Sequence, residues 1–302
     1  MRQALLAVAG AALIGRILVA PAYAEIGHML SKSPIADYSE AIRLDPKNAV
    51  AYGNRGMAYY GNSDLDRAIA DFDEAIRLDP KDATAYNNRG AARLGKGDRS
   101  PIVYRTIVKD SRWRVPKAVF LYKSNGLAQR DKGDVGLAIA DFSEAARLAP
   151  KDALIYNNRG AAYVADGDFD RAIADFNEAV RLDPKYAEAF NQRCYVLAIT
   201  GQAQQALADC EESMRLRPFD DADALDSRGF AHLKRGDFDR AIVDYDAALK
   251  HHPTTASSLY GRGVAKLRSG DSAGGGADIA AAKSIQADIA DQFSRIGVTA
   301  TE

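Results

Sequence analysis

The sequence is poor in the residues that build metal and catalytic centres. Its 302 residues hold four His, two Cys and one Trp. These His and Cys are too few and too scattered for a metal framework, and His251-His252 reads as an exposed helix end. No Gly-rich phosphate loop is visible, and no Ser or Cys stands with a matching His. The expectation is therefore no catalytic residue, no metal, no cofactor and no enzyme activity. Charge of one sign is missing too. Forty basic residues face 41 acidic ones, a net charge of −1, so no basic excess drives phosphate binding and nucleic acid is not an expected partner. Only 10 Pro interrupt a chain that is 47% hydrophobic and 27% charged, the composition of a soluble helical protein.

Long apolar runs are confined to the N-terminus. Met1-Arg2-Gln3 is a short basic lead, Ala4–Gly15 is apolar, and Ala22-Tyr23-Ala24 offers an A-x-A cleavage site. The pattern reads as a signal peptide over residues 1–24, which implies an exported, periplasmic or secreted chain, or a cytoplasmic one if the leader is not processed. Arg16 lies within the apolar region and argues against a membrane span, which needs ~20 consecutive apolar residues.

What is abundant is repetition. Tyr-Asn-Asn-Arg-Gly stands at 86–90 and 156–160, Asp-Arg-Ala-Ile-Ala-Asp-Phe at 66–72 and 170–176, and Arg-Leu-Asp-Pro ends at 46, 80 and 184. Full units are expected over 47–80, 117–150, 151–184, 185–218 and 219–253. Residues 25–46 read as a truncated first repeat holding only a second helix. Within a unit, apolar residues recur at helical spacing in two halves, as Tyr52, Gly56 and Tyr59 and then Ala68, Phe72, Ala75 and Leu78. A Gly-Asp break between the halves suits a left-handed C′ glycine followed by an N-cap, and the closing Pro stops the second helix.

Two stretches depart from the pattern. Residues 81–116 keep a first helix, but 99–116 lose the second and carry Tyr104, Trp113 and four Arg. Two readings stay open here, a decayed repeat or an insertion that presents those side chains to a partner. Residues 254–287 read as a degenerate last unit in which Gly274-Gly275-Gly276 fray the second helix, so that it begins near Ala277. Residues 288–302 are expected to hold a C-terminal cap and a disordered tail from Gly297.

The 34-residue period and its fixed residues resemble the tetratricopeptide repeat, or TPR. The family's small eighth position is Gly56, Gly90, Gly126, Gly160, Gly229 and Gly263, with Cys194 departing. Its aromatic position 24 is Phe72, Phe142, Phe176 and Tyr245, with Cys210 departing. Small residues let crossing helices approach, and the aromatic fills the wedge beside them. The fold expected is all-α: helix-turn-helix units stacked into a right-handed α-solenoid, or superhelix.

The resemblance implies a protein-binding scaffold whose concave groove is lined by first helices. Asn54, Asn87, Asn88, Asn157, Asn158, Asn191 and Gln192 fall at positions 5 and 6, and an amide can pair with the main chain of an extended peptide whatever its sequence. The series looks like the asparagine ladder of O-GlcNAc transferase; alternatively these amides serve only neighbouring turns. The clamp of chaperone-binding TPR domains is absent, since Lys123 is followed by Leu127 at position 9. Arg at position 7 (Arg55, Arg89, Arg159, Arg193, Arg228, Arg262) is read as structural, in inter-repeat ion pairs with Asp and Glu of second helices, worth ~0–1 kcal/mol each when exposed. Cys194 and Cys210 sit at positions 8 and 24 of one unit, as a disulfide in an oxidising compartment or as two free core thiols. Beside a groove that holds a peptide or partner helix, two further roles fit: self-association through the terminal repeats, and the detached regulatory half of a separately encoded enzyme.

Overall fold

Local chemistry sets each helix. In Leu65–Leu78 the Asp64 side chain accepts a hydrogen bond from the Arg67 N–H, Asp66 lies in the first turn and Arg77 in the last. The cap satisfies one open donor, and both charges oppose the helix dipole. Phe169–Leu182 repeats this arrangement with Asp168, Asp170 and Arg181. The breaks behave as their composition dictates. Gly167, Gly236 and Gly270 hold φ of 85°, 82° and 99°, whereas in the first unit Ser63 takes φ 61° at some strain.

The structure, a computed structural model, describes residues 34–96, 132–217 and 222–300. Among them run fourteen helices and no strand: α1 (Pro34–Leu44), α2 (Ala49–Gly61), α3 (Leu65–Leu78), α4 (Ala83–Lys96), α5 (Lys132–Leu148), α6 (Ala153–Asp166), α7 (Phe169–Leu182), α8 (Ala187–Ile199), α9 (Ala203–Leu216), α10 (Ala222–Arg235), α11 (Phe238–His251), α12 (Ala256–Arg268), α13 (Ser272–Ile285) and α14 (Ile289–Arg295). Helices α2 to α13 pair in order into six hairpins, and each second helix also packs on the first helix that follows. Helix α1 packs on α2 without burying any residue.

No hairpin closes its own core, so the stack does. Phe72, Phe142 and Phe176 are wholly buried and Tyr245 nearly so, together with Ala68, Ala138, Ala172, Ala206 and Ala241. Each Phe contributes roughly 2–3 kcal/mol by leaving water. The aromatic fits because the facing residue has no side chain. A Cβ on Gly56 or Gly160 would stand 2.8 or 2.7 Å from the ring of Phe72 or Phe176. Where Cys210 replaces the aromatic, Cys194 replaces the glycine, and the two form a disulfide with Cα atoms 5.4 Å apart.

Three sequence expectations change. Among the described residues helix α4 pairs with α5. Gly90 faces Phe142, and Arg89 bonds Asp141 across 52 residues. The units drawn over 81–116 and 117–150 therefore supply the first and second helix of one hairpin. The stretch 97–131 that separates them, with Tyr104, Trp113, Lys123 and Gly126, lies outside the described residues, as do the expected leader at 1–24 and residues 218–221. Second, α13 starts at Ser272 and contains the glycine run, with Asp271 capping the Gly274 N–H. Gly275 sits where α12 and α13 nearly touch: a Cβ there would lie 2.7 Å from the Gly263 carbonyl oxygen, whereas Gly276 faces open space. Close packing at Gly275 offsets its cost of ~1 kcal/mol. Third, the chain stays ordered past Gly297, and Val298 is buried.

Candidate functional site

Curvature identifies the inner face. First helices of successive units (α2, α4, α6, α8, α10, α12) touch one another, whereas successive second helices among the described residues do not. The side with closer helix–helix approach is the concave one, so first helices line it. Position 9 on this face is Met57, Ala91, Ala161, Tyr195, Phe230 and Val264, an apolar stripe with aromatic rings toward the C-terminal end.

Positions 5 and 6 fall where neighbouring first helices meet, and this corrects the expectation that their amides line an open groove. Asn87, Asn88, Asn157, Asn158 and Asn191 are at most 3% exposed. Asn54 and Gln192 remain half-buried, and Gln192 donates to Glu188 at 2.9 Å. Asn87 donates to Asn88 at 3.3 Å, and Asn158 donates across the repeat boundary to Asn87 at 3.0 Å. This amide chain ties α4 to α6. Asn157 differs: neither its Nδ2 nor its Oδ1 meets a partner, and Asn191 Oδ1 is likewise unpaired. Buried polar atoms left so cost about 1–3 kcal/mol each.

The arginines at position 7 are neither exposed nor mainly inter-repeat. Each makes two parallel bonds to the Asp sixteen positions on in its own hairpin, or to Asp141 in the case of Arg89, at 2.6–3.1 Å. The carboxylates are buried and the guanidinium groups mostly so. The remaining N–H of Arg89, Arg193 and Arg262 reaches Asp73, Asn177 and Asp246 of the preceding unit. A planar fork with five donors bridges both neighbours at once, which Lys could not do. Hydrogen bonding to Asp175 raises the Arg159 pKa above its ordinary value. Burial pushes the Asp278 carboxyl up, but bonds from Arg262 and Lys266 outweigh it and hold the group below its ordinary value.

The C-terminal segment shares the inner face, which sequence reasoning missed. Phe293 of α14 lies 4.7 Å from the Tyr260 ring and 6.2 Å, edge-on, from Phe230, which in turn meets Tyr195 at 5.2 Å. Lys234 Nζ donates to the Ile296 carbonyl at 2.9 Å, and Arg268 donates to that of Thr299 at 3.3 Å. The signal was present in the stripe Ile289, Phe293, Ile296, but its destination was not. No group of three His, Cys, Asp or Glu among the described residues could hold a metal, and no described helix is long and apolar enough to cross a membrane.

Family models agree with this architecture. The tetratricopeptide repeat matches residues 49–82 and 153–186, a TPR repeat model matches 126–167, and a further tetratricopeptide repeat model matches 228–290. Together they span just over half of the chain, and the protein belongs to the tetratricopeptide repeat family. No curated protein matches the sequence. Among solved structures, a chain of the APC/C hetero-tetramer Cut9-Hcn1 is similar with TM-score 0.67 and 15% identity over 88% of this chain. This protein spans 46% of that chain, about half its length. A tetratricopeptide repeat protein from Parabacteroides merdae gives TM-score 0.61 and 16% identity, with 87% and 90% of the two chains covered. PilW, a type IV pilus biogenesis factor, gives 0.56 and 18%, with 74% and 86% covered. These likenesses establish the fold.

Proposed function

We propose that the protein is a non-enzymatic scaffold of the cell envelope that holds a partner's peptide or helix on the inner face of its solenoid. One observation carries the reading: the inner surface of α10 and α12 accepts a short helix, since α14 lies on it through Phe293, Ile296 and Lys234. Asn87, Asn88 and Asn158 serve one another, and Asn157 and Asn191 are buried where first helices meet, so the reading rests on the aromatic surface and not on the amides. The A-x-A leader pattern and the Cys194–Cys210 disulfide both suit an oxidising compartment.

The test is capture from envelope extracts by wild type and by Phe230→Ala protein whose circular dichroism matches wild type. A named band that weakens at least tenfold in the variant supports the inner-face assignment; equal recovery removes it. Edman sequencing of the exported chain is expected to start at Glu25.

A further inference from the structure

At the C-terminal end Ile289, Gln292, Phe293, Ile296 and Val298 are all buried. Helix α14 rests on α12 and α13, as the next helix of a regular stack would. Its Phe293 ring nevertheless reaches past α12 to position 9 of α10, one unit further back, as well as position 5 of α12.

The segment is seated like a ligand. Its anchors fall at i, i+4 and i+7 (Ile289, Phe293, Ile296), one face of a helix. Its end is a left-handed Gly297, φ 73°, with the Gly297 and Val298 N–H groups closing on Ser294 and Phe293. The freed Ile296 carbonyl then meets Lys234, a cation at a helix C-terminus. Arg268 holds the Thr299 carbonyl in the same way. Over 289–300 the only charges are Asp291 and Arg295, so the segment binds by apolar anchors and main-chain carbonyls rather than by net charge. Three residues, Gln286 to Asp288, connect it to α13.

We propose that residues 289–300 are a tethered occupant of the inner face, displaced by a partner that presents a short amphipathic helix with an aromatic residue at the Phe293 position between two aliphatic ones. The proposal rests on the scaffold reading above and names the partner's chemistry. In the resting chain the α10–α12 surface is closed, and a partner in trans must outcompete a covalently attached segment. With an effective concentration of ~1 mM and an intrinsic affinity of ~10 μM, the tether weakens binding in trans by about a hundredfold.

The probe is a fluorescein-labelled synthetic peptide of residues 286–300, titrated against full-length protein and followed by anisotropy. Phe293→Ala protein is expected to bind it about a hundredfold more tightly than wild type, and the same peptide carrying Ala in place of Phe293 is expected to bind neither. Equal affinity for both proteins, or no binding to Phe293→Ala protein whose circular dichroism matches wild type, overturns the proposal. A second variant leaves every side chain in place: inserting about ten Gly/Ser residues after Gln286 dilutes the tether and is expected to strengthen peptide binding severalfold. Unchanged affinity there overturns the proposal independently. An envelope partner that binds wild type and Phe293→Ala equally leaves the scaffold reading standing and removes this one alone.

Discussion

Excising residues 99–134 is expected to stabilise the protein. The deletion joins Gly97-Asp98 to Val135 and leaves a unit whose Gly90, Ala138, Phe142, Ala145 and Pro150 keep the register of Gly160, Ala172, Phe176, Ala179 and Pro184. Asp98 then takes the capping place that Asp168 holds before α7. The connection between α4 and α5 shortens from residues 97–131 to two residues. Each halving of a connection returns ~0.6 kcal/mol of closure entropy, so about four halvings give roughly 2.5 kcal/mol, less whatever the lost first turn of α5 contributes. Urea unfolding followed by far-UV circular dichroism measures the outcome. The midpoint is expected to rise while Arg89 and Asp141 stay coupled in a double-mutant cycle by about 1–3 kcal/mol. A lowered midpoint or a broadened transition would refute the reasoning, because it would mean that α4 or α5 draws its packing partner from the excised stretch.

Gly160→Ala is expected to cost about 1–3 kcal/mol, since the new methyl would sit 2.7 Å from the buried Phe176 ring; a melt unchanged from wild type would contradict that packing. Tyr245→Phe is expected to be neutral or to stabilise by about 1 kcal/mol, because the buried Tyr245 hydroxyl has no partner and the equivalent residues of three other hairpins are Phe. A marked loss of stability in thermal unfolding would show that the hydroxyl is bonded. Reducing the Cys194–Cys210 bridge, which spans a separation of 16 residues, is expected to lower stability by about 3 kcal/mol. Because both thiols are buried, reduction is expected only under conditions that open α8 from α9, read by mass spectrometry after alkylation.

Much of the architecture was legible because it depends on residue size at fixed spacing. A residue without a side chain at position 8 and a ring at position 24 report a helix crossing wherever they recur. The pairing partner was less legible. Residues 81–96 and 132–150 each look like half a repeat with its own neighbour, and they are joined by tertiary contacts such as Gly90 with Phe142 and Arg89 with Asp141. The amides were misjudged for a different reason. Position within a helix says which face Asn87 or Asn157 occupies, but how closely the next first helix approaches that face depends on the curvature of the whole stack.

The sequence by itself determined that this is an all-helical repeat protein, where the helices of its regular units cap and stop, and which small and aromatic residues form the core. Those features are local: a cap, a turn glycine or a heptad-like face is set by neighbours within a few residues. Tertiary structure decided which half-repeats join, whether a periodic Asn meets solvent or another Asn, and where Phe293 comes to rest. These depend on groups far apart in sequence and close in space, such as Phe230 and Phe293, whose meeting no local spacing encodes.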